Sequence, residues 1–179
     1  MAETNAAGRG RVTLVLGGAR SGKSRYAEGL VTALPKPWVY VATAEAHDDE
    51  MAARIAEHRA RREARWQTIE APNELAEALA AAPAGAAVLV DCLTLWLSNL
   101  MLGRFKLDAM TARLEEVLAA REGATVLVAN EVGLSIVPDN ALARAFRDAQ
   151  GELNQRVASC ADRVVLMVAG LPLTLKGHP

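Results

Sequence analysis

A glycine-rich motif directly behind a short apolar run is the feature that most restricts what this 179-residue chain can fold into. Residues 17–24 read GGARSGKS and follow the apolar residues 12–16. In the pattern G-x-x-x-x-G-K-S, glycines let backbone N–H groups surround a phosphate, the lysine contacts the β and γ oxygens, and the serine hydroxyl binds Mg²⁺. Because an apolar run precedes the motif and a helix-compatible stretch follows it, we predict a nucleotide-binding phosphate loop rather than a glycine-rich turn. Its residues are Gly17, Gly18, Ala19, Arg20, Ser21, Gly22, Lys23 and Ser24.

Short apolar runs alternate with longer helical patterns along the rest of the chain. This alternation predicts an α/β fold, a single domain like that of P-loop NTPases, with a mostly parallel central sheet and helices on both faces. A last short strand near residues 174–176 would form an antiparallel edge. The other predicted strands are 12–16, 38–42, 66–69, 87–90, 125–129 and 163–168, and the predicted helices are 23–33, 49–65, 73–82, 108–121 and 140–159.

Length and composition restrict the organisation further. The chain suits one domain, which we place at residues 12–179 behind a flexible N-terminal extension of residues 1–11. No apolar run reaches the roughly 18 residues of a membrane span, and the extension does not resemble a signal peptide. We therefore expect a cytoplasmic protein without stable membrane insertion. A net charge of −1 predicts no nucleic-acid partner. Cys92 and Cys160 show no zinc or disulfide spacing, and we expect both to be buried.

Ligands of parallel sheets bind outside the carboxyl ends of the strands, so residues that directly follow strands are candidates for function. Asp91 ends the apolar run 86–90, where P-loop proteins place the acid that holds Mg²⁺. We predict that it shares the metal with Ser24, the alternative being an acid that only caps a turn. Asn130 and Glu131 follow another apolar run and predict a loop that holds substrate or a second metal contact.

Residues 48–65 predict a helix with a histidine among arginines. Acidic residues come first and arginines last, as the helix dipole favours. Met51, Ile55 and His58 share one stripe, which directs the imidazole toward the body of the protein. Neighbouring arginines suit a polyphosphate and favour a neutral imidazole that can attack phosphorus. The alternative is a hydrogen-bonded core histidine on a helix whose arginines face solvent. The arginines are Arg54, Arg59, Arg61, Arg62 and Arg65.

Two further segments have two interpretations each. Glu70 follows the predicted strand 66–69 and is either a contact for a base N–H or a ribose hydroxyl, or a surface acid before Pro72. The apolar segment around Trp96 either packs in the core, which we favour, or forms an interface.

These motifs, taken in order, resemble those of the bifunctional adenosylcobinamide kinase / adenosylcobinamide-phosphate guanylyltransferase family. The likeness runs from about Val12 to Leu175. Besides the phosphate loop it rests on Val41-Ala42-Thr43, residues 49–55, His58-Arg59, Asn130-Glu131-Val132-Gly133, Ile136-Val137-Pro138 and Asn154-Gln155-Arg156.

The resemblance implies a two-step enzyme of cobalamin assembly. A nucleoside triphosphate, ATP or GTP, would phosphorylate the aminopropanol hydroxyl of adenosylcobinamide, and GTP would then donate GMP to that phosphate with release of pyrophosphate. The GMP would pass through a covalent bond to His58. Lys23, Mg²⁺ and Asp91 would neutralise the triphosphate, and Asp91 is our candidate base for the kinase step. The implied GTP contacts outside the phosphate loop are Ala42, Thr43, Ala44, Arg59, Ala60, Arg61, Arg62, Glu70 and Asp91.

The resemblance also implies a homotrimer with active sites at subunit boundaries, which would give an exposed apolar loop around Trp96 a use. Two other functions fit the phosphate loop. One is a monofunctional P-loop kinase of a small metabolite, in which His58 is structural. The other is a non-catalytic protein that binds nucleotide.

Overall fold

The central strands are short runs rich in valine and leucine, which suit a parallel sheet that is covered on both faces. In the computed structural model, which describes residues 10–45 and 66–178, seven strands form one sheet in the order β3-β2-β4-β5-β1-β6-β7. All neighbouring strands pair in parallel except β6 and β7, which are antiparallel. The strands are β1 (Val12–Gly17), β2 (Trp38–Ala42), β3 (Trp66–Glu70), β4 (Ala87–Asp91), β5 (Thr125–Asn130), β6 (Arg163–Val168) and β7 (Leu171–Lys176).

Helices cover both faces of the sheet in the described ranges. Side chains alternate between the two faces along each strand, so neighbouring strand residues enter different cores. Val15 packs with Ala27 and Val31 of α1 on one face. Leu14 belongs to the larger core on the other face, where the remaining helices lie. The helices are α1 (Lys23–Thr32), α2 (Leu75–Ala81), α3 (Leu93–Leu102), α4 (Leu107–Ala120) and α5 (Ala141–Cys160). The predicted fold class, including the antiparallel edge strand, is confirmed.

Helix α3 is the main element that the sequence did not predict. Seven of its ten residues are apolar, and two of its three polar residues, Thr94 and Asn99, are buried, so it lacks the wide polar side that identifies a surface helix. Trp96 is fully buried, and its indole N–H donates to the carbonyl of Asn73 at 2.8 Å. The preferred interpretation, that this segment packs in the core, is therefore correct. The idea of an exposed apolar loop around Trp96 at a subunit boundary is wrong.

The N-terminal end of the first described segment is hydrogen-bonded to residues at and before the start of β5. Gly10 N–H donates to the carbonyl of Arg121, and Thr125 N–H donates to the carbonyl of Arg11. The rest of the predicted extension, residues 1–9, lies outside the described residues, as does the predicted helix 49–65. No helix in the described parts of the chain has the length and apolar character needed to cross a bilayer.

Candidate active site

The phosphate loop follows β1 and turns directly into α1. Gly22 precedes the helix in a left-handed conformation with φ of 93°, and Arg20 also has a positive φ of 55°. A Cβ on Gly17 would lie 2.5 Å from Ser21 Oγ and 2.8 Å from the carbonyl of Met167, so no larger residue fits there. Gly22 has no side chain that could cap the helix. The N–H groups in the first turn of α1 can therefore bind an anion.

The turn between β6 and β7 is hydrogen-bonded to the phosphate loop. Gly170 N–H donates to the carbonyl of Ser21 at 3.0 Å. Gly170 and the preceding Ala169 both have positive φ angles, as a two-residue hairpin turn requires. The buried hydroxyl oxygen of Ser21 has no hydrogen-bond partner in the described structure, so the loop contains a polar atom that a ligand can satisfy.

Lys23 holds its ammonium group against the loop. Its Nζ donates to the carbonyl of Gly18 at 3.0 Å. Burial lowers the pKa of Lys23, while the negative charge of Asp91 raises it. Asp91, 68 positions away in sequence, thus lies near enough to influence the charge of Lys23.

Asp91 ends β4, which is separated from β1 only by β5. The hydroxyl of Tyr40, a buried residue of β2, donates to Asp91 Oδ2 at 3.2 Å. This bond restricts the carboxylate to one side of the strand end. The described residues contain no group of three or more side chains of the His, Cys, Asp and Glu types that could hold a metal by themselves.

Thr43 is fully buried and connects the ends of β2 and β4. Its hydroxyl donates to the carbonyl of Cys92 at 2.7 Å and accepts from Cys92 N–H at 2.8 Å. Asn99 Nδ2 donates to the carbonyl of Thr43 at 2.8 Å. The side chain of Thr43, which we predicted as a nucleotide contact, is thus already engaged in holding the residue that follows Asp91.

Replacing Thr43 with valine should destabilise the protein by about 1 to 3 kcal/mol, because the buried N–H of Cys92 loses its partner and the Cys92 carbonyl keeps only the bond from Trp96 N–H. Thr43→Ser keeps the hydroxyl and is the matched control, with a loss of roughly 1 kcal/mol for the methyl group. Urea denaturation of the three proteins measures the difference. Equal stability of the valine and serine variants would contradict this role of the hydroxyl.

Cys92 is buried as predicted, whereas Cys160 is only partly buried. Burial, aided by the charge of Asp91, raises the pKa of Cys92 to about 11. The unfolded thiol loses its proton at lower pH than the native thiol, so this group favours folding below about pH 9. Its contribution declines as the pH rises from about 9 to about 11.

We expect the free energy of unfolding to fall by about 3 kcal/mol through that pH window, since two pKa units correspond to this amount. Urea titrations at pH 8 and pH 11 give the change, and Cys92→Ala provides the reference that lacks the thiol. The prediction fails when the native protein and Cys92→Ala show the same pH dependence.

A polar chain inside the protein supports the end of β5. Asn130 N–H donates to Thr94 Oγ1 at 2.7 Å, and the carbonyl of Asn130 accepts from Asn154 Nδ2 at 3.1 Å. The fully buried Gln150 continues the chain by donating to Asn154 Oδ1 at 2.9 Å. The sequence analysis names Asn154 only as part of a family motif, and the structure adds that its side chain is buried.

Glu70 lies farther from the phosphate loop than the other candidates. It ends β3, the edge strand, and β2, β4 and β5 separate that strand from β1. Four strand spacings correspond to roughly 19 Å. His58, Arg59, Ala60, Arg61 and Arg62 lie outside the described residues, so their predicted roles stay predictions.

Comparison with known proteins agrees with this geometry. The family model described as cobinamide kinase / cobinamide phosphate guanyltransferase matches residues 13–175. The "Bifunctional adenosylcobalamin biosynthesis protein CobP" of Pseudomonas aeruginosa is 51% identical over 169 residues, which are 93% of this chain and 98% of that protein. The "Bifunctional adenosylcobalamin biosynthesis protein CobU" of Salmonella typhimurium is 42% identical over 91% of this chain and 98% of its own length.

A solved structure of a protein from Pyrococcus horikoshii OT3 resembles the fold with a TM-score of 0.58. It covers 94% of this chain and 87% of its own, but only 11% of the residues are identical, so it supports the fold alone. The family match spans nearly the whole chain and includes the phosphate loop, Asp91 and Glu131. This chain therefore belongs to the cobinamide kinase / cobinamide phosphate guanyltransferase family.

Proposed function

We propose that this chain is a bifunctional enzyme of cobalamin biosynthesis. It phosphorylates adenosylcobinamide with a nucleoside triphosphate and then transfers GMP from GTP to the new phosphate, releasing pyrophosphate. The observation that carries the proposal is the phosphate loop between β1 and α1, where Lys23 Nζ lies 3.0 Å from the Gly18 carbonyl, in a chain that matches the family from residue 13 to residue 175.

The kinase step depends on charge and position more than on covalent chemistry by the protein. The N–H groups of the phosphate loop and the start of α1 hold the β and γ phosphates. Lys23 neutralises charge on the phosphate oxygens that become more negative as the phosphoryl group is transferred. In the described structure its Nζ donates to the Gly18 carbonyl, and a phosphate oxygen provides a stronger, charged acceptor for the same ammonium group.

The oxygen donors at the site suit Mg²⁺. This ion is commonly held by one or two carboxylates together with substrate phosphates and water, so it does not require a protein cluster of three ligands. Ser24 and Asp91 would hold it, and Tyr40 would keep the Asp91 carboxylate in place. When bound, Mg²⁺ would supply positive charge that offsets the negative charge of the phosphate oxygens.

For guanylyl transfer we assign the nucleophile to His58. The imidazole nitrogen attacks the α phosphorus of GTP, and the bond to the leaving pyrophosphate breaks. An oxygen of adenosylcobinamide phosphate then attacks the same phosphorus and releases His58. Two displacements replace one difficult step, which is the advantage of covalent catalysis. The sequence around His58 supports this role, since Arg59, Arg61 and Arg62 suit a polyphosphate.

The remaining expectations belong to the same proposal. Ala42, Ala44, Ala60 and Glu70 contact GTP. Thr43 positions this segment, because its hydroxyl, N–H and carbonyl are bound to Cys92, Asp91 and Asn99. The protein acts in the cytoplasm as a homotrimer whose active sites lie at subunit boundaries.

One assay separates this proposal from its two alternatives. The protein is incubated with adenosylcobinamide, Mg²⁺ and GTP, and the corrinoid products and pyrophosphate are measured. The proposal expects adenosylcobinamide-GDP and an equal amount of pyrophosphate. A monofunctional kinase would stop at the phosphorylated corrinoid, and a non-catalytic protein would bind GTP without turnover. Either of those two results would reject the bifunctional assignment.

A further inference from the structure

Glu131 lies beside Gly17, the first glycine of the phosphate loop. The proposed function gives this residue no role in either reaction. β5 is the neighbour of β1, and their register places Asn130 level with Gly17. Glu131 N–H donates to the carbonyl of Gly17 at 3.2 Å. A carboxylate therefore follows β5, the strand adjacent to β1. It lies at the carboxyl end of the sheet, where the phosphate loop begins.

The carboxylate is also oriented by its own turn. Glu131 Oε1 accepts from Gly133 N–H at 2.7 Å, and the side chain is only partly exposed. The backbone just before it is held through Asn130 by Thr94 and Asn154. Glu131 is thus attached to a rigid strand end, as precise chemistry requires.

A groove of about 360 Å³ opens beside Glu131, between α5 and the β6–β7 hairpin. Gly151 of α5 lines it, and a Cβ there would meet no atom within 4 Å, so the helix leaves space at this point. Asn154 and Gln155 supply polar groups, and Lys176 closes another side by donating to the carbonyl of Ala158 at 2.9 Å. The other lining residues are Leu16, Ala158, Val164 and Leu175.

Large apolar side chains are exposed in the segments that contain the groove-lining residues Glu131 and Leu175. Leu134 and Ile136, in the loop that follows Glu131, are 87% and 92% exposed. Leu171 and Leu173 of β7 are exposed as well. The groove offers the carboxylate of Glu131, the amides of Asn154 and Gln155, and nearby apolar side chains. This combination suits an arm of a large, partly apolar acceptor that carries a hydroxyl group.

We propose that Glu131 is the general base of the kinase step and that this groove seats the hydroxyl-bearing arm of the corrinoid. This inference rests on the proposed function and replaces Asp91 as the candidate base. Asp91 then acts as a metal ligand and Glu131 as the base, so the two carboxylates have different roles.

The step balances with groups that are present in the substrates. The acceptor hydroxyl oxygen forms a bond to the γ phosphorus, and its proton passes to the Glu131 carboxylate. The bond from the γ phosphorus to the bridging oxygen breaks, and its electron pair leaves with the nucleoside diphosphate. The proton is later released to solvent. Guanylyl transfer differs because the acceptor is an ionised phosphate with no proton to remove, so it needs no such base.

Glu131→Gln tests the role because it changes only one of the two activities. The glutamine oxygen still accepts from Gly133 N–H, so the turn is preserved while the proton acceptor is lost. We expect phosphorylation of adenosylcobinamide to slow by about 100-fold or more, as general base catalysis is worth. Transfer of GMP from GTP to separately prepared adenosylcobinamide phosphate should stay within about threefold of the unaltered protein. Glu152→Gln, an exposed position on α5, removes the same charge and should change neither rate.

Gly151→Leu tests the groove without altering the carboxylate. The leucine side chain would occupy the open space, so the KM for adenosylcobinamide should rise about tenfold while the KM for nucleotide is unchanged. Gly151→Ala is the control, since alanine strengthens a helix and fills little of the groove. Equal losses of both activities in Glu131→Gln, no loss in either, or an unchanged corrinoid KM in Gly151→Leu would each overturn the inference. Absence of both activities in the unaltered protein would instead reject the proposed function.

Discussion

The His58→Asn variant is expected to lose guanylyl transfer by on the order of 10⁴-fold, because asparagine cannot form the covalent intermediate. Its kinase activity should stay within a few-fold, since that step uses the phosphate loop and not the histidine. Incubation with GTP labelled at the α phosphate should label the unaltered protein through a bond that acid breaks and base does not. His58→Asn should remain unlabelled.

His47→Asn is the matched control for this experiment. His47 belongs to the same part of the chain but lacks the density of arginines that surrounds His58 in sequence. It should keep both the label and the transferase activity. A label that survives in His58→Asn, or disappears in His47→Asn, would show that the nucleophile was assigned to the wrong residue.

Lys23→Ala has the second large expected effect and reduces both activities together. Each step passes through a transition state with added charge on phosphate oxygens, and the loss of one positioned donor costs roughly 100- to 1000-fold. Folding should be little affected, because within the described residues the ammonium group donates only to the Gly18 carbonyl, and burial already disfavours its charge. Initial rates of both half-reactions and a thermal melt provide the comparison.

Lys36→Ala removes the same charge from an exposed position, where Lys36 lies 5.4 Å from the Trp38 ring centroid. It should keep both rates near those of the unaltered protein. If Lys23→Ala lost only one activity, the two reactions would not share the phosphate loop. If it lost both and also failed to fold, Lys23→Arg would provide the test, since it keeps the charge but not the compact geometry of the ammonium group.

The sequence predicted local features well where a short contiguous pattern is enough. Apolar runs of about five residues identified the strands, and Asn140 precedes α5 with its side chain accepting from Ala143 N–H, as a helix start requires. Helix α3 was missed because periodicity identifies a helix only when one side is polar. Trp96 is fully buried, so this helix lies inside the protein and does not need a wide polar side.

The candidate site was predicted less completely because its members come from separate strands. Asp91 and Lys23 were each found by position after an apolar run or within a motif. The hydroxyl of Thr43 and the phenol of Tyr40 were missed as supports because neither bond follows from sequence spacing: Thr43 contacts Cys92, and Tyr40 contacts Asp91.

The sequence by itself determined the phosphate loop, since eight consecutive residues contain both the glycines that permit its backbone and a lysine and serine whose chemistry suits a phosphate and a metal ion. It also determined the α/β class through alternating apolar and helical segments. The order of the strands was decided only by the tertiary structure. Placing β5 between β4 and β1 sets Glu131 next to Gly17 and brings Asp91 within the field of Lys23. Strand order depends on which buried faces pack best against one another across the whole sheet, and no single segment contains that information.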